Sequence, residues 1–219
     1  MDDASVLLDL FRFRQGNPAA GLKGVAQTRT LALAEAGLVR ASQHFVLRHQ
    51  EMPAALLGEG CMVLLHSLVP AADPPPWEPP PEIELLGSTR YDPIAAFGDR
   101  ETPGEARHAS LMLVLTHPTD LAYDDAFNAW YTDEHAPDVA QTPGFRGGTR
   151  YRPLAHLGGT PLGYLCLYEV SPGWSPDLHA GLERWQLETE VADRVPMPET
   201  PGGEPVLTID LWAYFERVA

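Results

Sequence analysis

A run of prolines is the sequence feature that most restricts how this chain can fold. Residues 72–82 read ADPPPWEPPPE, and proline cannot donate the backbone hydrogen bond that helices and central strands require. We therefore predict a stiff, extended loop at 70–82, with regular structure on either side of it. The polar, turn-rich stretch GDRETPGEAR predicts a linker at 98–107, which divides the chain into an N-terminal half (1–97) and a C-terminal half (108–219).

The C-terminal half alternates short apolar runs with helical patterns. Its apolar runs have the length of strands and are bounded by proline, glycine and polar residues. Asp120 can cap a helix that begins near Ala122. The predicted strands are 109–117, 144–154, 161–170 and 205–218, and the predicted helices are 122–134 and 175–194. Their order, β-α-β-β-α-β, is that of a ferredoxin-like unit.

The N-terminal half reads as a degenerate copy of the same order. Strands are predicted at 5–14, 38–49, 61–69 and 82–91, with an Ala/Leu-rich helix at 19–37. The proline-rich loop replaces the second helix. A ferredoxin-like sheet leaves one apolar face bare, so two such sheets in one chain can cover each other. The predicted fold class is α+β, with two tandem units packing sheet to sheet around a barrel-like core.

Composition restricts the partners and the compartment. The formal net charge of −15 argues against nucleic acid and against anionic membranes as partners. The N-terminus is acidic where a signal peptide is basic, and no apolar run approaches the roughly 20 residues that a membrane helix needs. We therefore predict a cytoplasmic protein. Cys61 and Cys166 lie in apolar, strand-like runs, which favours buried free thiols over a disulfide.

The segment FNAWYTDEHAPDVAQTPGF (127–145) combines aromatic residues with a histidine. Phe127, Tyr131 and His135 share one face of a helix, and Trp130 lies on the adjacent stripe. Pro137 disfavours helix at the residue before it, so we expect the helix to end near His135. The end of the helix dipole would then stabilise a protonated imidazole, which could transfer a proton near neutral pH. The alternative is a structural cap that binds a backbone carbonyl.

This segment carries a family resemblance. The stretch WYTDEHAPDVAQTPGFRGGTRY, followed by the strand YLCLYEV, resembles EthD-like and related members of the dimeric α/β-barrel superfamily. In those proteins a W…EH.P helix precedes PGF, a strand ending in RY and a Y…YE strand. The resemblance extends roughly from Leu111 to Tyr214. It implies an intramolecular dimeric α/β barrel in which His135 is the pocket histidine and Trp130 and Tyr131 form the pocket wall.

The resemblance restricts the chemistry only broadly. The superfamily includes cofactor-free monooxygenases, aromatic polyketide cyclases and decarboxylases, isomerases, haem enzymes and proteins of unassigned role. The N-terminal half carries no matching histidine or aromatic residue in AQTRTLALAEAG, so one working pocket per chain is expected.

Three polar residues interrupt apolar strands of the N-terminal half. Asp9 lies in VLLDLF, His66 in VLLHSL and His44 in SQHFVL. A buried carboxylate must be paired, ligated or protonated, and an Asp9–His66 pair can form if their strands adjoin. The pair could be structural, or it could be an acid/base pair. Asp210, in LTIDLW, repeats the situation of Asp9 in the last strand.

These observations lead to three hypotheses for function. The first is a cofactor-independent enzyme, of lyase or cyclase type, that moves a proton on a hydrophobic aromatic or polyketide-like small molecule. The others are a cofactor-free monooxygenase and a non-catalytic carrier of a hydrophobic ligand. No cofactor or metal is predicted, and the chain is expected to be a pseudo-dimeric monomer or a homodimer. The predicted catalytic residues are His135 and Tyr131, and the predicted substrate-binding residues are Trp130, Phe127, Asp9, His44, His66 and Tyr168.

Overall fold

The computed structural model describes residues 4–14, 18–50, 61–98, 110–142, 144–171 and 196–218, with the backbone alone at 18–23 and 49–50. The strands in this part of the chain are β1 (Val6–Phe13), β2 (Val39–Gln50), β3 (Cys61–Leu68), β4 (Ile83–Gly98), β5 (Ser110–Pro118), β6 (Phe145–Gly159), β7 (Tyr164–Val170) and β8 (Leu207–Arg217). All eight predicted strands are therefore present. The helix predicted at 175–194 and most of the predicted linker lie outside the described residues.

Two helical regions accompany the strands in the described part of the chain. Helix α1 (Pro18–Glu35) joins β1 to β2, and Gly37 follows it with a φ of +68°, in the left-handed region that favours glycine. A composite helix joins β5 to β6. It consists of a 3-10 turn (Leu121–Tyr123), α2 (Asp124–Trp130), a π turn (Tyr131–His135) and α3 (Ala136–Ala140). No helix in the described residues is long and apolar enough to cross a membrane.

The eight strands form one closed antiparallel barrel. Their order around the ring is β1-β3-β2-β8-β5-β7-β6-β4, so each half of the chain contributes four neighbouring strands in the same relative order. The halves are joined by hydrogen-bonded pairs β2–β8 and β4–β6. We expected two sheets packed face to face, but they meet along both edges. This closure gives partners to the backbone groups that two open sheets would expose.

Strands β4 and β6 run farther than the sequence predicts. Strand β4 was expected to end at residue 91 and β6 at 154, yet they continue to Gly98 and Gly159. Each extension pairs with the predicted part of the other strand: Gly98 of β4 lies opposite Gly147, and Gly159 of β6 lies opposite Gly87. The partner of each extension is distant in sequence, so local patterns do not reveal it.

The interior of the barrel is packed with side chains. Residues alternate along each strand, so Leu8 and Leu10 point inward while Leu7, Asp9 and Phe11 point outward. All eight strands contribute to the interior cluster.

The two cysteines lie on opposite sides of the barrel wall. Cys61 belongs to the interior cluster, whereas Cys166 lies on the outer face. Both are buried and free, as predicted.

The proline-rich loop covers part of the outer face of the N-terminal half. Residues 70–82 contain no helix, as predicted. Trp77 packs edge-on against Phe11, with ring centroids 5.4 Å apart. Arg29, on α1, donates to the carbonyl oxygen of Pro75 at 3.4 and 3.5 Å and lies over the Trp77 ring. The loop thus contributes the aromatic cover that a second helix would otherwise supply.

The composite helix covers the outer face of the C-terminal half. Asp120 caps it as predicted, because its carboxylate accepts from the Ala122 amide at 2.8 Å. The prediction that the helix ends near His135 is wrong, since helix continues to Ala140. The amide of Ala136 donates five residues back, to the carbonyl oxygen of Tyr131. This π turn places Pro137 in the first turn of α3, where a missing amide donor is tolerated.

Replacing Gly148 with alanine should destabilise the barrel. A Cβ there would lie 2.3 Å from the Leu167 carbonyl oxygen and 2.9 Å from the Phe97 ring. We expect the free energy of unfolding, measured by urea denaturation, to fall by about 1–3 kcal/mol. Gly24→Ala is the control, because a Cβ at this exposed position of α1 meets nothing within 4 Å. It should stabilise by about 0.5–1 kcal/mol, and equal effects of the two substitutions would contradict the close approach of β6 and β7.

Candidate functional site

A pocket lies outside the barrel, between the composite helix and strands β5, β7 and β8. Its volume is about 110 Å³. Most of its wall is aliphatic or aromatic, and the polar groups of its described lining residues are two phenols, one imidazole, one indole N–H and one threonine hydroxyl. It is lined by Met112, Val114, Thr116, Tyr131, His135, Val139, Tyr168, Leu207, Ile209 and Trp212. A largely apolar concavity with a few convergent polar groups is the usual form of a small-molecule site.

The π turn determines where the His135 imidazole lies. The half-buried ring stacks on Trp130, with centroids 4.7 Å apart and planes 19° apart. It also meets the edge of Tyr131, at 4.9 Å. In a regular α-helix, residues five apart point about 140° away from each other. The wider turn brings Trp130 and His135 to one side of the helix, so the ring is held between two aromatic side chains in the pocket wall.

Because the helix continues past Pro137, the electrostatic environment of His135 differs from the one predicted. His135 is followed by a further helical turn, so it does not occupy the C-terminus of the helix. The helix dipole acts mainly in the first and last turns and is therefore not the main influence on the imidazole. The aromatic contacts and the pocket wall fix its position instead.

Burial keeps two tyrosines of the wall and the cysteine behind it protonated. It raises the pKa of Tyr131 and raises that of Tyr168 well above the ordinary value. Burial also raises the pKa of the Cys166 thiol to about 12. At neutral pH the two phenols can donate hydrogen bonds but cannot act as bases, and the thiol is not a nucleophile.

A buried arginine lies behind the pocket. Arg150, on β6, is 1% exposed, and its guanidinium lies 4.5 Å from the ring centroid of Tyr131 and 4.9 Å from that of Phe127. It donates to the backbone oxygen of Asn128 at 3.1 Å, to the Asn128 side-chain oxygen at 2.8 Å and to the Thr132 hydroxyl at 2.5 Å. These bonds fix the guanidinium against the composite helix.

The charge of Arg150 is not neutralised directly. Within the described residues it forms no ion pair, and its hydrogen-bond acceptors are all neutral oxygens. The connection to a carboxylate is indirect: Asn128 donates to the Tyr164 hydroxyl at 3.0 Å, and that hydroxyl donates to Asp124 at 2.9 Å. Burial lowers the pKa of Arg150, while the surrounding tyrosines and Cys166 oppose this effect. The result is a positive field directed towards the aromatic wall.

The structure separates the predicted site residues into two groups. His135, Tyr131 and Tyr168 line the pocket. Phe127 is fully buried behind Tyr131, with ring centroids 5.7 Å apart, and Trp130 supports the histidine rather than lining the pocket. The remaining three predicted residues, Asp9, His44 and His66, lie on β1, β2 and β3 of the other half.

Asp9 is the centre of a buried polar cluster beneath α1. Its carboxylate accepts from Arg29 at 3.1 Å and from the Ser88 hydroxyl at 2.5 Å, and it lies 3.5 Å from Nε2 of His66. The Asp9–His66 pair predicted from the sequence is thus formed by the adjoining strands β1 and β3. Burial raises the pKa of Asp9, but the nearby His66 ring, the charge of Arg29 and the hydrogen bond from Ser88 outweigh this effect and lower the pKa.

Two further contacts extend this cluster. The Ser42 hydroxyl lies 2.7 Å from Nδ1 of His66, and the Thr30 hydroxyl lies 3.2 Å from Nε2 of His44. Burial lowers the pKa of His44, with smaller contributions from the charges of His66 and Arg217. The order Ser42–His66–Asp9 resembles a hydrolytic relay. Asp9 and His66 are both fully buried and Arg29 occupies the carboxylate, which favours the structural alternative for this pair.

Asp210 differs from Asp9. It is partly exposed, and its carboxylate lies 2.8 Å from Nδ1 of the half-exposed His117. Between Leu115 and Thr116 the β5–β8 register shifts, so that Leu115 faces Leu211 and Thr116 faces Ile209, leaving Asp210 as the extra residue. No cluster of three or more metal-binding side chains occurs among the residues described.

Several pocket residues were missed from the sequence. Met112, Val114 and Thr116 alternate along β5, and this period-2 pattern could have assigned them to one face. Trp212 follows the irregularity at Asp210, which reverses the alternation, so its outward direction could not be read from the pattern. Arg150 belongs to the RY end of a strand in the resemblance, but that pattern does not indicate burial.

Comparisons with known proteins do not assign a family. No protein-family model matches the chain, and no curated protein matches it. Among solved structures, the chain is similar to an anthrone oxidase-like protein, with a TM-score of 0.49, 10% identity, and coverage of 100% of this chain and 92% of the other.

Two other solved structures are similar at the same level. A candidate monooxygenase from Fusobacterium nucleatum gives a TM-score of 0.47 at 9% identity, with coverage of 99% of this chain and 96% of the other. A mutant chlorite dismutase from Candidatus Nitrospira defluvii gives 0.49 at 10% identity, with coverage of 99% and 92%. With scores below 0.5, none of these proteins determines what this chain binds or does.

Removing the Asp9 carboxylate should destabilise the fold in a pH-dependent way. Because the folded-state pKa of Asp9 is lowered, its stabilisation is fully present above the unfolded value of about 3.9 and is lost as pH falls through the folded value. Asp9→Asn should reduce the free energy of unfolding by about 3 kcal/mol at pH 7, measured in urea. The difference from wild type should narrow near pH 3.

The control for this prediction is Asp73→Asn, since the side chain of Asp73 is 88% exposed. Its effect should stay within about 0.5 kcal/mol at both pH values. A pH-independent loss in Asp9→Asn would show that shape, rather than the charge of Asp9, holds the cluster together.

Proposed function

We propose that the chain is an enzyme that transfers a proton on a small hydrophobic molecule bound between the composite helix and β5, β7 and β8. One observation carries the proposal. The His135 imidazole is held between Trp130 and Tyr131 in the wall of a mainly apolar pocket. A positioned imidazole beside a bound apolar ligand is suited to general acid–base catalysis.

The wall residues divide the chemistry between them. His135 accepts a proton from an acidic C–H or O–H of the ligand, because Tyr131, Tyr168 and Cys166 remain protonated. The phenols of Tyr131 and Tyr168 then donate hydrogen bonds to the carbonyl or phenol oxygen that becomes negative. The apolar wall excludes water and strengthens these interactions.

Arg150 adds electrostatic stabilisation from behind the wall. Its guanidinium has no carboxylate partner among the described residues and lies 4.5 Å from the Tyr131 ring. Negative charge that develops on the ligand, or on the Tyr131 oxygen bound to it, is favoured by this fixed positive charge. Arg150 acts through Tyr131 and is therefore a positioning and electrostatic residue.

The size of the pocket restricts the ligand. A volume of about 110 Å³ is similar to that of an apolar cavity of about 150 Å³ that binds benzene. The enclosed part therefore fits one aromatic or alicyclic ring. A larger polyketide-like molecule would have to extend out of the pocket.

The architecture fits the same proposal. We propose that residues 1–97 and 108–219 are two ferredoxin-like units forming an intramolecular dimeric α/β barrel, with the working pocket in the second unit. The identical strand order of the two halves supports this assignment. The chain itself then supplies both sheets, and neither nucleic acid nor a membrane is needed as a partner.

Proton transfer can be tested by a deuterium-exchange assay that does not require the natural substrate to be known. In D₂O, 2-indanone should incorporate deuterium at its acidic α-carbon faster with the protein than without it, as measured by ¹H NMR. His135→Gln should slow the catalysed exchange by roughly 100-fold. His117→Gln is the control, because His117 is paired with Asp210 and does not line the pocket. It should behave like wild type.

The same samples separate the alternatives. Oxygen uptake in air, together with loss of 2-indanone, would identify a cofactor-free monooxygenase, the second hypothesis drawn from the sequence. Binding of 2-indanone without exchange and without oxygen uptake would identify a carrier. Equal exchange by wild type and His135→Gln would rule out the role given to the histidine.

Loss of the Arg150 charge should weaken the binding of an anion in the pocket. The probe is 4-nitrophenol, whose phenolate absorbs near 400 nm. Its bound pKa should be lower than in water in wild type, and should rise by about one unit in Arg150→Met. Arg150→Lys should restore part of the effect, because it keeps the charge without the planar fork. An unchanged bound pKa in folded Arg150→Met would contradict the electrostatic role.

A further inference from the structure

A second cavity lies on the N-terminal half. It is bounded by the chain entering β1, the start of β2, the turn after β3 and the middle of β4. Its volume is about 370 Å³. Unlike the first pocket, its wall is largely polar. It is lined by Ala4, Ser5, Arg40, Leu68, Pro70, Ala71, Arg90 and Asp92.

The positive charges of two guanidinium groups in this wall are only weakly neutralised by carboxylates. Arg40 is exposed and forms no ion pair with any residue that the structure describes. Arg90 is 16% exposed, and its contact with Asp73 is 3.7 Å long to a side chain that is 88% exposed. Such an exposed pair contributes little. The Nε of Arg90 is buried and has no hydrogen-bond partner.

Asp92, the one carboxylate among the described wall residues, already accepts a hydrogen bond. The donor is the Ser5 hydroxyl, at 2.6 Å. The lining thus contains two cationic groups and one anionic group, in a chain whose formal net charge is −15. The negative net charge of the protein repels free anions from most of its surface. The cavity is a local exception, because its described lining carries more positive than negative charge.

The turn after β3 contains an unusual backbone conformation. Ala71 has a φ of +60°, in the left-handed region that residues other than glycine rarely adopt. The turn is closed by the Ala72 amide, which donates to the Val69 carbonyl oxygen at 3.1 Å. Strained residues of this kind are concentrated at ligand-binding sites, and Ala71 lies in the wall of this cavity.

We propose that this cavity is a binding site for a small oxyanion, the phosphate or carboxylate group of a free ion or metabolite. Arg90 provides a partly buried, planar guanidinium, and Arg40 adds its charge at the rim. The site is independent of His135, since it uses strands β2 and β4 of the other half. Whether or not this cavity binds an oxyanion therefore has no bearing on the proton-transfer proposal.

Titration with inorganic phosphate, followed by ¹H–¹⁵N NMR, tests the site. In wild type the backbone amides of Ser5, Ala71 and Arg90 should shift in a saturable way, and added salt should weaken the binding. Arg90→Gln should weaken binding about tenfold or more, and Arg40→Gln by a smaller factor. Citrate, titrated in parallel, shows whether a carboxylate serves better than a phosphate. Preferential binding of either anion supports the site.

The matched control is Arg48→Gln. Arg48 lies on the same strand as Arg40, but its guanidinium is paired with Glu216 at 2.5 Å. It should leave phosphate binding unchanged. If Arg90→Gln does not fold, the exposed Arg40 decides the outcome, because Arg40→Gln should fold and still weaken binding. Non-saturable shifts with both anions, or equal losses in Arg40→Gln and Arg48→Gln, would overturn the proposal.

Discussion

Closure of the eight strands is the constraint on which the rest of the structure depends. The pairs β2–β8 and β4–β6 remove the free edges of both sheets. Once the ring is closed, every second strand residue points into a space that only other side chains can fill. Apolar residues from all eight strands fill it. Any ligand site must therefore lie on the outside, where helices and loops cover the wall.

The two halves cover that outer wall in different ways. The N-terminal half uses α1 and the proline-rich loop, and the buried charge of Asp9 is satisfied by Arg29, Ser88 and His66. The C-terminal half uses the composite helix, which covers the buried charge of Arg150 on β6. That charge is surrounded by neutral oxygens and aromatic rings. The charge of the first cluster is paired with Arg29, whereas the charge of Arg150 has no ion-pair partner among the described residues and leaves a field that a ligand could use.

Much of the fold could be predicted from short-range patterns. Strand alternation, the cap at Asp120 and the proline-rich loop are local effects, and each was confirmed. The edge-to-edge closure and the extensions of β4 and β6 depend on partners distant in sequence, so they were not visible. The prediction that Pro137 ends the helix was wrong, because a π turn before it accommodates the proline and the helix continues.

The candidate site was predictable to a smaller extent. The aromatic stripe containing Tyr131 and His135 could be read from its spacing, since residues on one helix face recur regularly. The strand side of the pocket required the register of β5, β7 and β8. The burial of Arg150 required the position of the composite helix over β6. Asp9 and His66 were correctly paired but lie in the other half, because pairing within a sheet does not show which cavity a residue faces.

The composite helix has a consequence for how this site could have arisen or could be lost. A π turn holds one more residue than the α-helical turn that it replaces, so its length and not only its composition orients everything after it. Deletion of a single residue between 131 and 135 would restore ordinary winding and rotate the ring stack without altering the barrel. A change of one residue in chain length could therefore remove the arrangement of His135 and Trp130 and still leave the barrel intact.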